Sequence, residues 1–537
     1  MRARLMCVAG AAALLAAGAN AAPIRVTGGL IAGKALPDGS AVYLGLPYAA
    51  PPLGALRWEP PRPVVAWRGV RQAITPPVPC AQLSEGWNAA DAARSGEDCL
   101  YLSLHVPKHE AGARLPVLVW IHGGSNRSGS GYGVVDSPIY RQGIVVVGIE
   151  YRLGIFGFLS LPELTARSPH HSSGNYALLD QIAALHWVQR NIAGFGGDPR
   201  NVTIMGQSAG GVDVGQLLVS PLARGLFAKA IQDSGSPGLP RTLADGEAIG
   251  SQLFALNHLA PGPRGLAALR DLSMRTLLAD SVRLRSPDNQ FDGLWIAATA
   301  DGWVIPRKFD GFYGSGMGRA RAGLLIGNNT QEFIVDDPSA ALGLMKTAFG
   351  PNADRALPLY GFHGTRPPGA DPVLGTAATQ VISDLAFRCV SDDEARWARA
   401  GGQKVWHYQF GVPQPGSQQV SHTAELGYVF GTRPARAAFG SWPPVQLYWA
   451  NFVKTGDPNG PALPPWPAAG KDAAYMTFTP QGPGSGKDLR GPICRLMTRS
   501  LVEKHHQPTA PPLSGPDVCE IRVNPLDALL CKSADAK

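Results

Sequence analysis

Concentrated charge and metal-binding clusters are both missing from this sequence of 537 residues. Charged residues make up 16% of the chain, and its lysines and arginines are scattered rather than gathered into blocks. The formal net charge is +8, to which Arg2 and Arg4 contribute two, and this pattern gives no reason to expect nucleic-acid binding. No group of cysteines and histidines has the spacing of zinc ligands, so we expect neither a metal nor a cofactor.

Long apolar runs are also missing after the N-terminus, where none reaches the roughly 20 residues that a membrane-spanning helix needs. At the N-terminus itself, two arginines precede an apolar stretch from Leu5 to about Ala19, and Ala19-Asn20-Ala21 suits a cleavage site. The pattern favours a signal peptide over residues 1–21 rather than a retained anchor. We therefore expect a secreted or periplasmic protein.

Cysteine is sparse, and Cys7 falls within the expected signal peptide. An even number remains for an oxidising compartment, where disulfides are expected to form. These six residues are Cys80, Cys99, Cys389, Cys494, Cys519 and Cys531. Nearest-neighbour spacing favours Cys80 with Cys99 and Cys519 with Cys531, although many pairings are open.

Short apolar runs alternate with a helical pattern and predict an α/β fold. Residues 177–197 repeat apolar side chains at helical spacing. The expected strands, buried on both faces, are LPVLVWI (115–121), GIVVVGI (143–149), VTIM (202–205), GLLIG (323–327) and KVWHYQF (404–410). This order predicts a mostly parallel central sheet flanked by helices, with ligands bound at the carboxyl ends of the strands.

One domain is expected to span residues 22–505. Helical patterns near 240–300 and 335–400 are expected to be insertions that form a cap over the sheet. Residues 506–537 are rich in proline and are expected to form a C-terminal extension pinned by a disulfide.

The stretch VTIMGQSAGG (202–211) carries the first chemical signal. Small residues surround Ser208 and permit a sharp strand–helix turn with the serine at its apex. The alternative is an ordinary glycine-rich turn with a solvated serine.

A nucleophilic serine needs a histidine base and a carboxylate, in this fold in the order serine, acid, histidine. Glu332 follows the GLLIG strand directly, whereas Asp336 and Asp337 are rivals that lie further from it. His422 lies in a polar loop beyond the last strong strand and is the favoured base. The other histidines downstream of the serine are His258, His363, His407, His505 and His506. His407 lies inside a strand pattern and is expected to be a packed core residue, and the last two begin the tail.

Backbone N–H groups must also stabilise the oxyanion of an attacked carbonyl. The loop His122-Gly123-Gly124-Ser125 follows an expected strand and suits that role, and Ala209 adds an N–H beside the nucleophile.

Six motifs in order resemble the type-B carboxylesterases, the cholinesterase-like branch of the α/β-hydrolases. They cover residues 43–67, 97–107, 120–130, 174–211, 326–333 and 421–431. The resemblance implies an α/β-hydrolase fold, with Ser208 as nucleophile, Glu332 as acid and His422 as base. It places the oxyanion donors on Gly124, Ser125 and Ala209. It also implies a Cys80–Cys99 disulfide and a later Cys389–Cys494 disulfide.

The sequence departs from the family pattern at several positions. Ser125 replaces a common third glycine, Gln207 replaces a common glutamate, and Phe333 follows the acid where glycine is frequent. Trp87 lies in the first disulfide loop, where cholinesterases hold a quaternary ammonium by cation–π contact. The loop is about two residues longer here and Gln207 is neutral, so a packed Trp87 is favoured over a choline site.

We therefore expect a serine esterase that acts on small to medium acyl or aryl esters of small molecules through an acyl-enzyme. The alternatives are a long-chain lipase, a choline esterase and a binding module without catalysis. A binding module has no reason to keep all three triad residues and the glycine loop.

Overall fold

The structure, a computed structural model, describes residues 21–236, 240–286, 296–306, 323–433 and 445–505. The expected signal peptide (apart from Ala21) and the expected C-terminal extension with Cys519 and Cys531 lie outside the described residues.

Strands and helices alternate along most of the chain. The strands are β1 (Ile24–Val26), β2 (Gly29–Ala32), β3 (Lys34–Ala35), β4 (Ala41–Pro47), β5 (Val70–Gln72), β6 (Tyr101–Val106), β7 (Leu115–Ile121), β8 (Val145–Ile149), β9 (Gly197–Gln207), β10 (Lys229–Asp233), β11 (Arg241–Thr242), β12 (Thr299–Ala300), β13 (Gly323–Asn329), β14 (Val405–Phe410), β15 (Ala474–Thr479) and β16 (Gly482–Lys487). The helices are α1 (Ala89–Arg94), α2 (Gly154–Phe158), α3 (Pro162–Arg167), α4 (Tyr176–Asn191), α5 (Ala209–Val219), α6 (Leu243–Leu256), α7 (Pro263–Asp271), α8 (Met274–Ser281), α9 (Ala340–Phe349), α10 (Ala353–Ala356), α11 (Ala377–Ser383), α12 (Cys389–Ala400), α13 (Leu426–Val429), α14 (Gln446–Thr455) and α15 (Gly491–His505).

The central sheet has 11 strands in the order β16-β15-β14-β13-β10-β9-β7-β8-β6-β4-β3 within the described part of the chain. The strands from β15 to β8 in this order are parallel, and the pairs at both edges are antiparallel. The expected mostly parallel sheet is therefore confirmed. The carboxyl ends of seven parallel strands meet along one edge of the sheet, where α/β folds place their sites.

Both faces of the sheet are covered, which explains why its strands are apolar throughout. Along β7, Val119 and Ile121 join one hydrophobic core, whereas Leu118 and Trp120 join the other. Helix α4 packs its apolar side chains into the first core and α14 into the second. Successive side chains of a strand point to opposite faces, so each core takes alternate residues.

The expected boundaries agree with the structure to within a few residues. LPVLVWI coincides with β7, while the helix expected over 177–197 ends at Asn191. It ends there because a tight 3₁₀ turn, Ile192–Phe195, follows and leads into Gly196 with a φ of 77°.

Helices occur in the described parts of both segments expected to be insertions. Helices α6 to α8 lie in the first segment, and α9 to α12 lie in or near the second. A third hydrophobic core lies between α9, α11 and α15. The disulfide Cys389–Cys494 joins α12 to α15, and Cys80–Cys99 closes the loop that contains α1. None of the helices described is both long and apolar enough to cross a bilayer.

Candidate active site

Ser208 occupies a tight elbow between β9 and α5. Its φ is 57°, which is uncommon for a residue other than glycine, and its N–H donates to the backbone oxygen of Asp233 at 2.9 Å. A Cβ added at Gly206 would lie 2.2 Å from the oxygen of Gly210, and one at Gly210 would lie 2.1 Å from the oxygen of Ile121. The small residues around the serine are therefore required by the close approach of β9, α5 and β7.

His422 and Glu332 form a direct pair on loops that follow β14 and β13. The Nδ1 atom of His422 lies 2.6 Å from Oε2 of Glu332, and the backbone N–H of His422 donates to the backbone oxygen of Glu332 at 2.9 Å. Glu332 is fully buried. A proton on Nδ1 facing the carboxylate leaves the lone pair of Nε2 free, which is the tautomer that a general base needs.

Three hydrogen bonds hold Glu332 in place. Its Oε1 atom accepts from Ser234 Oγ at 2.7 Å and from the N–H of Asn329 at 2.6 Å, and its own N–H donates to Ser383 Oγ at 3.0 Å. Hydrogen bonds to a charged acceptor are about twice as strong as neutral ones. The carboxylate that orients His422 is thus itself oriented.

Two further buried carboxyl groups, those of Glu425 and Asp233, lie near Glu332. The side-chain amide of Asn329 donates to Glu425 Oε2 at 2.6 Å, and the hydroxyl of Tyr408 donates to Asp233 Oδ1 at 2.6 Å. Burial and the nearby charge of Glu332 raise the pKa of Glu425 to about 7. Burial and the charge of Glu425 raise the pKa of Asp233 well above its usual value. Like charges in one buried site disfavour joint ionisation, which is why these charges add to burial in raising the pKa values of Glu425 and Asp233.

The side-chain amide of Gln207 contacts the ring nitrogen of His422 that faces away from Glu332. Its Nε2 atom lies 3.0 Å from Nε2 of His422, and its side chain is buried. If His422 acts as the base towards Ser208, the amide of Gln207 has to give up this contact first. Catalytic hydrogen bonds of unliganded enzymes are often loose in this way and tighten with substrate.

The loop after β7 lies against the elbow. A Cβ added at Gly123 would lie 3.0 Å from Cβ of Ser208. The φ angles of Gly124, Ser125 and Asn126 are 109°, 54° and 54°. Within the described residues, the N–H groups of Gly124, Ser125 and Ala209 have no hydrogen-bond acceptor. These three expected donors therefore remain free to bind a substrate oxygen.

Two phenylalanines flank the ring of His422. The ring centroids of Phe333 and Phe387 lie 5.3 Å and 4.9 Å from that of His422. Phe333 is one of the residues that depart from the family pattern, and its ring contacts that of His422. Phe387 lies in the π-helical turn Asp384–Arg388, which no local sequence pattern predicted.

Trp87 lies on the surface next to α1. Its side chain is 65% exposed, so the favoured interpretation of a packed residue is wrong. His407, by contrast, is buried within β14 as expected.

Several residues of the site escaped the sequence analysis. Ser234 follows β10 directly, and a search of every strand end would have found it. Asn126 and Asp213 are joined by a buried hydrogen bond across 87 positions of the chain, and no spacing rule predicts that pair. Among the described residues, no group of three or more His, Cys, Asp or Glu side chains is arranged to hold a metal ion.

Comparisons with known proteins agree with this geometry. The model of the carboxylesterase family matches residues 20–341 and 367–496. The chain is 32% identical to human cocaine esterase, over 94% of this chain and 97% of that protein. It is 34% identical to fumonisin B1 esterase of Sphingopyxis macrogoltabida, over 83% of this chain and 84% of that protein. A solved structure of a carboxylesterase from Geobacillus stearothermophilus is similar with a TM-score of 0.72 and 30% identity, over 88% of this chain and 99% of that one. The chain is thus an α/β-hydrolase that hydrolyses carboxylic esters, and it belongs to the carboxylesterase family.

Proposed function

We propose that Ser208, His422 and Glu332 are the catalytic triad and that the substrates are small to medium acyl or aryl esters. The observation that carries this proposal is the 2.6 Å contact between His422 Nδ1 and the buried Glu332 carboxylate, beside the Ser208 elbow. The family membership supports ester hydrolysis, and the three residues supply a nucleophile, a base and an orienting charge.

In the acylation step, Ser208 Oγ attacks the ester carbonyl carbon while His422 Nε2 takes the serine proton. The carbonyl oxygen becomes an oxyanion, which the N–H groups of Gly124, Ser125 and Ala209 stabilise. When the tetrahedral intermediate collapses, the bond to the alcohol oxygen breaks and His422 returns the proton to the leaving alcohol.

In the deacylation step, water attacks the acyl-serine ester while His422 takes a proton from the water. Collapse of the second tetrahedral intermediate releases the carboxylic acid, and Ser208 recovers its proton. Glu332 stays ionised throughout and stabilises the imidazolium that forms twice in each cycle.

We also propose that residues 22–505 form the catalytic domain and that the helices near 240–300 and 335–400 shape its substrate pocket. In this proposal, residues 1–21 form a signal peptide that directs export to the periplasm or beyond and is then cleaved. The two disulfides support an oxidising compartment. N-terminal sequencing of the protein recovered outside the cytoplasm tests the cleavage, with Ala22 expected as the first residue.

The test of the activity is kcat/KM on 4-nitrophenyl esters from acetyl to palmitoyl, for the wild type and for Ser208→Ala. Losing the nucleophile is expected to lower kcat by a factor on the order of 10⁶. An optimum at short or medium acyl chains supports the proposed substrate class, whereas a palmitoyl optimum indicates a lipase. Turnover of a choline ester well above that of its uncharged isostere would indicate a choline esterase. Full activity of the Ser208→Ala variant would overturn the triad.

A further inference from the structure

The oxyanion hole is built from two separate pieces of the chain. Gly124 and Ser125 belong to the loop after β7, and Ala209 belongs to the first turn of α5. All three N–H groups must converge on one oxygen atom, and a misplacement of about 1 Å can cost on the order of 100-fold in rate. Something must therefore fix the loop relative to the helix.

The loop backbone does not adopt this shape without support. Ser125 and Asn126 both have a φ of 54°, in the left-handed region that disfavours residues with a Cβ. Two residues other than glycine in succession in this region store backbone strain, so the loop is expected to relax unless its surroundings hold it.

A buried hydrogen bond joins the loop to the helix. The side-chain amide of Asn126 donates to Oδ1 of Asp213 at 3.0 Å, and both residues are buried. Asp213 lies on α5, the helix that begins with the Ala209 donor. The bond therefore runs between the two pieces that carry the oxyanion donors.

Both partners of this bond are fixed in turn. Gln181, on α4, donates from its side-chain amide to Oδ2 of Asp213 at 2.5 Å. On the loop side, the N–H of Gly154 donates to the backbone oxygen of Asn126 at 2.7 Å, and the hydroxyl of Tyr151 lies 3.2 Å from its side-chain oxygen. The same hydroxyl donates to the backbone oxygen of His122 at 2.6 Å. The hydrogen bond thus belongs to a network that spans the loop, α4 and α5.

We propose that Asn126 and Asp213 are positioning residues that hold the two halves of the oxyanion hole in register for ester hydrolysis. This inference rests on the proposed function, because it assumes that the three N–H groups bind the oxyanion. Neither side chain is assigned a contact with substrate; both act through the backbone donors.

The variant Asn126→Gly tests whether the side chain of Asn126 is needed to hold the loop, or whether asparagine is present only because it accepts a positive φ. Glycine adopts a positive φ readily, so the variant keeps the loop conformation accessible while removing the side chain that joins it to α5. We expect kcat/KM to fall by a factor on the order of 10 to 100, with KM changed less than about 3-fold. The matched control is Asn191→Gly, since Asn191 is also buried and accepts from the N–H of Thr27 at 2.8 Å, but at the end of α4.

Two variants test the partner on the helix. Asp213→Leu removes the acceptor and is expected to reproduce the loss in Asn126→Gly. Asp213→Asn keeps an oxygen for the amide of Asn126. Its new amide donates to the oxygen of Gln181 once the side-chain amide of Gln181 flips, since that oxygen has no hydrogen-bond partner in the described structure. This conservative variant is expected to recover kcat/KM to within about 3-fold of the wild type.

The decisive readout is the inhibition constant of an aryl trifluoromethyl ketone, whose tetrahedral adduct places an oxyanion in the hole. If the two residues position the oxyanion donors, the inhibition constant should rise in Asn126→Gly and Asp213→Leu by the same factor as kcat/KM falls. Rates are normalised to the fraction of serine that reacts with a fluorophosphonate, so a poorly folded fraction does not count.

Two outcomes separate the failure of this inference from the failure of the proposed function. If Asn126→Gly and Asp213→Leu match Asn191→Gly in kcat/KM and in inhibition, the positioning role is wrong while the triad stands. If the wild type forms no fluorophosphonate adduct at Ser208, the proposed function itself is wrong.

Discussion

Ser40 and His105 form a buried pair near one edge of the sheet, whereas Ser208 and His422 follow parallel strands at their carboxyl ends. Ser40 Oγ lies 3.0 Å from Nε2 of His105, a direct contact. At His422, the corresponding nitrogen is 3.0 Å from the amide of Gln207 instead. A direct contact between serine and histidine, taken alone, would therefore favour Ser40 over Ser208 as a nucleophile.

The surroundings of the two pairs differ in three respects. The Nδ1 atom of His105 lies 2.8 Å from the backbone oxygen of Val135, a neutral acceptor, whereas Nδ1 of His422 faces a carboxylate. Ser40 is only 3% exposed, whereas Ser208 is partly open to solvent. Free backbone N–H groups lie beside Ser208. A nucleophilic serine is thus defined by an oriented base, access and oxyanion donors together.

The largest difference in activity is expected when the carboxylate beside each pair is replaced by an amide. Glu332→Gln should lower kcat by a factor on the order of 10³ to 10⁴, because the amide no longer stabilises the imidazolium or fixes its tautomer. Asp38→Asn is the matched control, since Asp38 accepts from Ser40 Oγ at 2.6 Å, and its kcat should be unchanged. A loss below 10-fold in Glu332→Gln would mean that the paired carboxylate does not distinguish the two sites.

A third histidine, His122, gives a comparison based on the pH dependence of stability. His122 precedes the loop that lies against the Ser208 elbow. Its Nδ1–H donates to the oxygen of Gly123 at 2.8 Å, and burial lowers its pKa from 6.5 to about 4. The folded protein thus binds this proton more weakly than the unfolded chain does. The stability contributed by the neutral ring is full above pH 6.5 and is lost as the pH falls towards 4.

His122→Phe keeps a ring against Tyr151 and removes the titration. Between pH 7 and 4.5, the free energy of unfolding of the wild type should fall by about 2 to 3 kcal/mol more than that of the variant. Urea denaturation at both pH values measures the two falls. Equal falls would show that His122 does not need to stay neutral in the folded protein.

The smallest expected effect on activity is that of Ser40→Ala. The change leaves Nε2 of the buried His105 without its partner, which should lower the free energy of unfolding by about 1–3 kcal/mol. The kcat/KM of the folded variant should stay within about 2-fold of the wild type. A large loss of activity at unchanged stability would assign chemistry to the Ser40 pair.

Local patterns predicted the parts of the site that follow strand ends. Ser208, Glu332 and His422 each follow a recognisable apolar run or lie in a polar loop, so their chain order and neighbours made them candidates. The strands themselves were predictable because burial on both faces requires continuous apolar residues, as in Leu115–Ile121.

Contacts between distant segments were beyond prediction from the sequence. The Asn126–Asp213 bond depends on how the loop after β7 is placed against α5, which only the assembled sheet determines. The contact of Phe387 with His422 arises from a π-helical turn without a sequence signature. Trp87 is a large apolar residue of a type that is usually buried, yet its loop leaves it exposed.

The most direct measurement of the central claim is peptide mapping by mass spectrometry after reaction with a fluorophosphonate. We predict one adduct per chain, on Ser208, formed in step with the loss of esterase activity, and no adduct on Ser40. Inactivation with Ser208 unmodified, or with the label on Ser40, would contradict the assignment of the nucleophile.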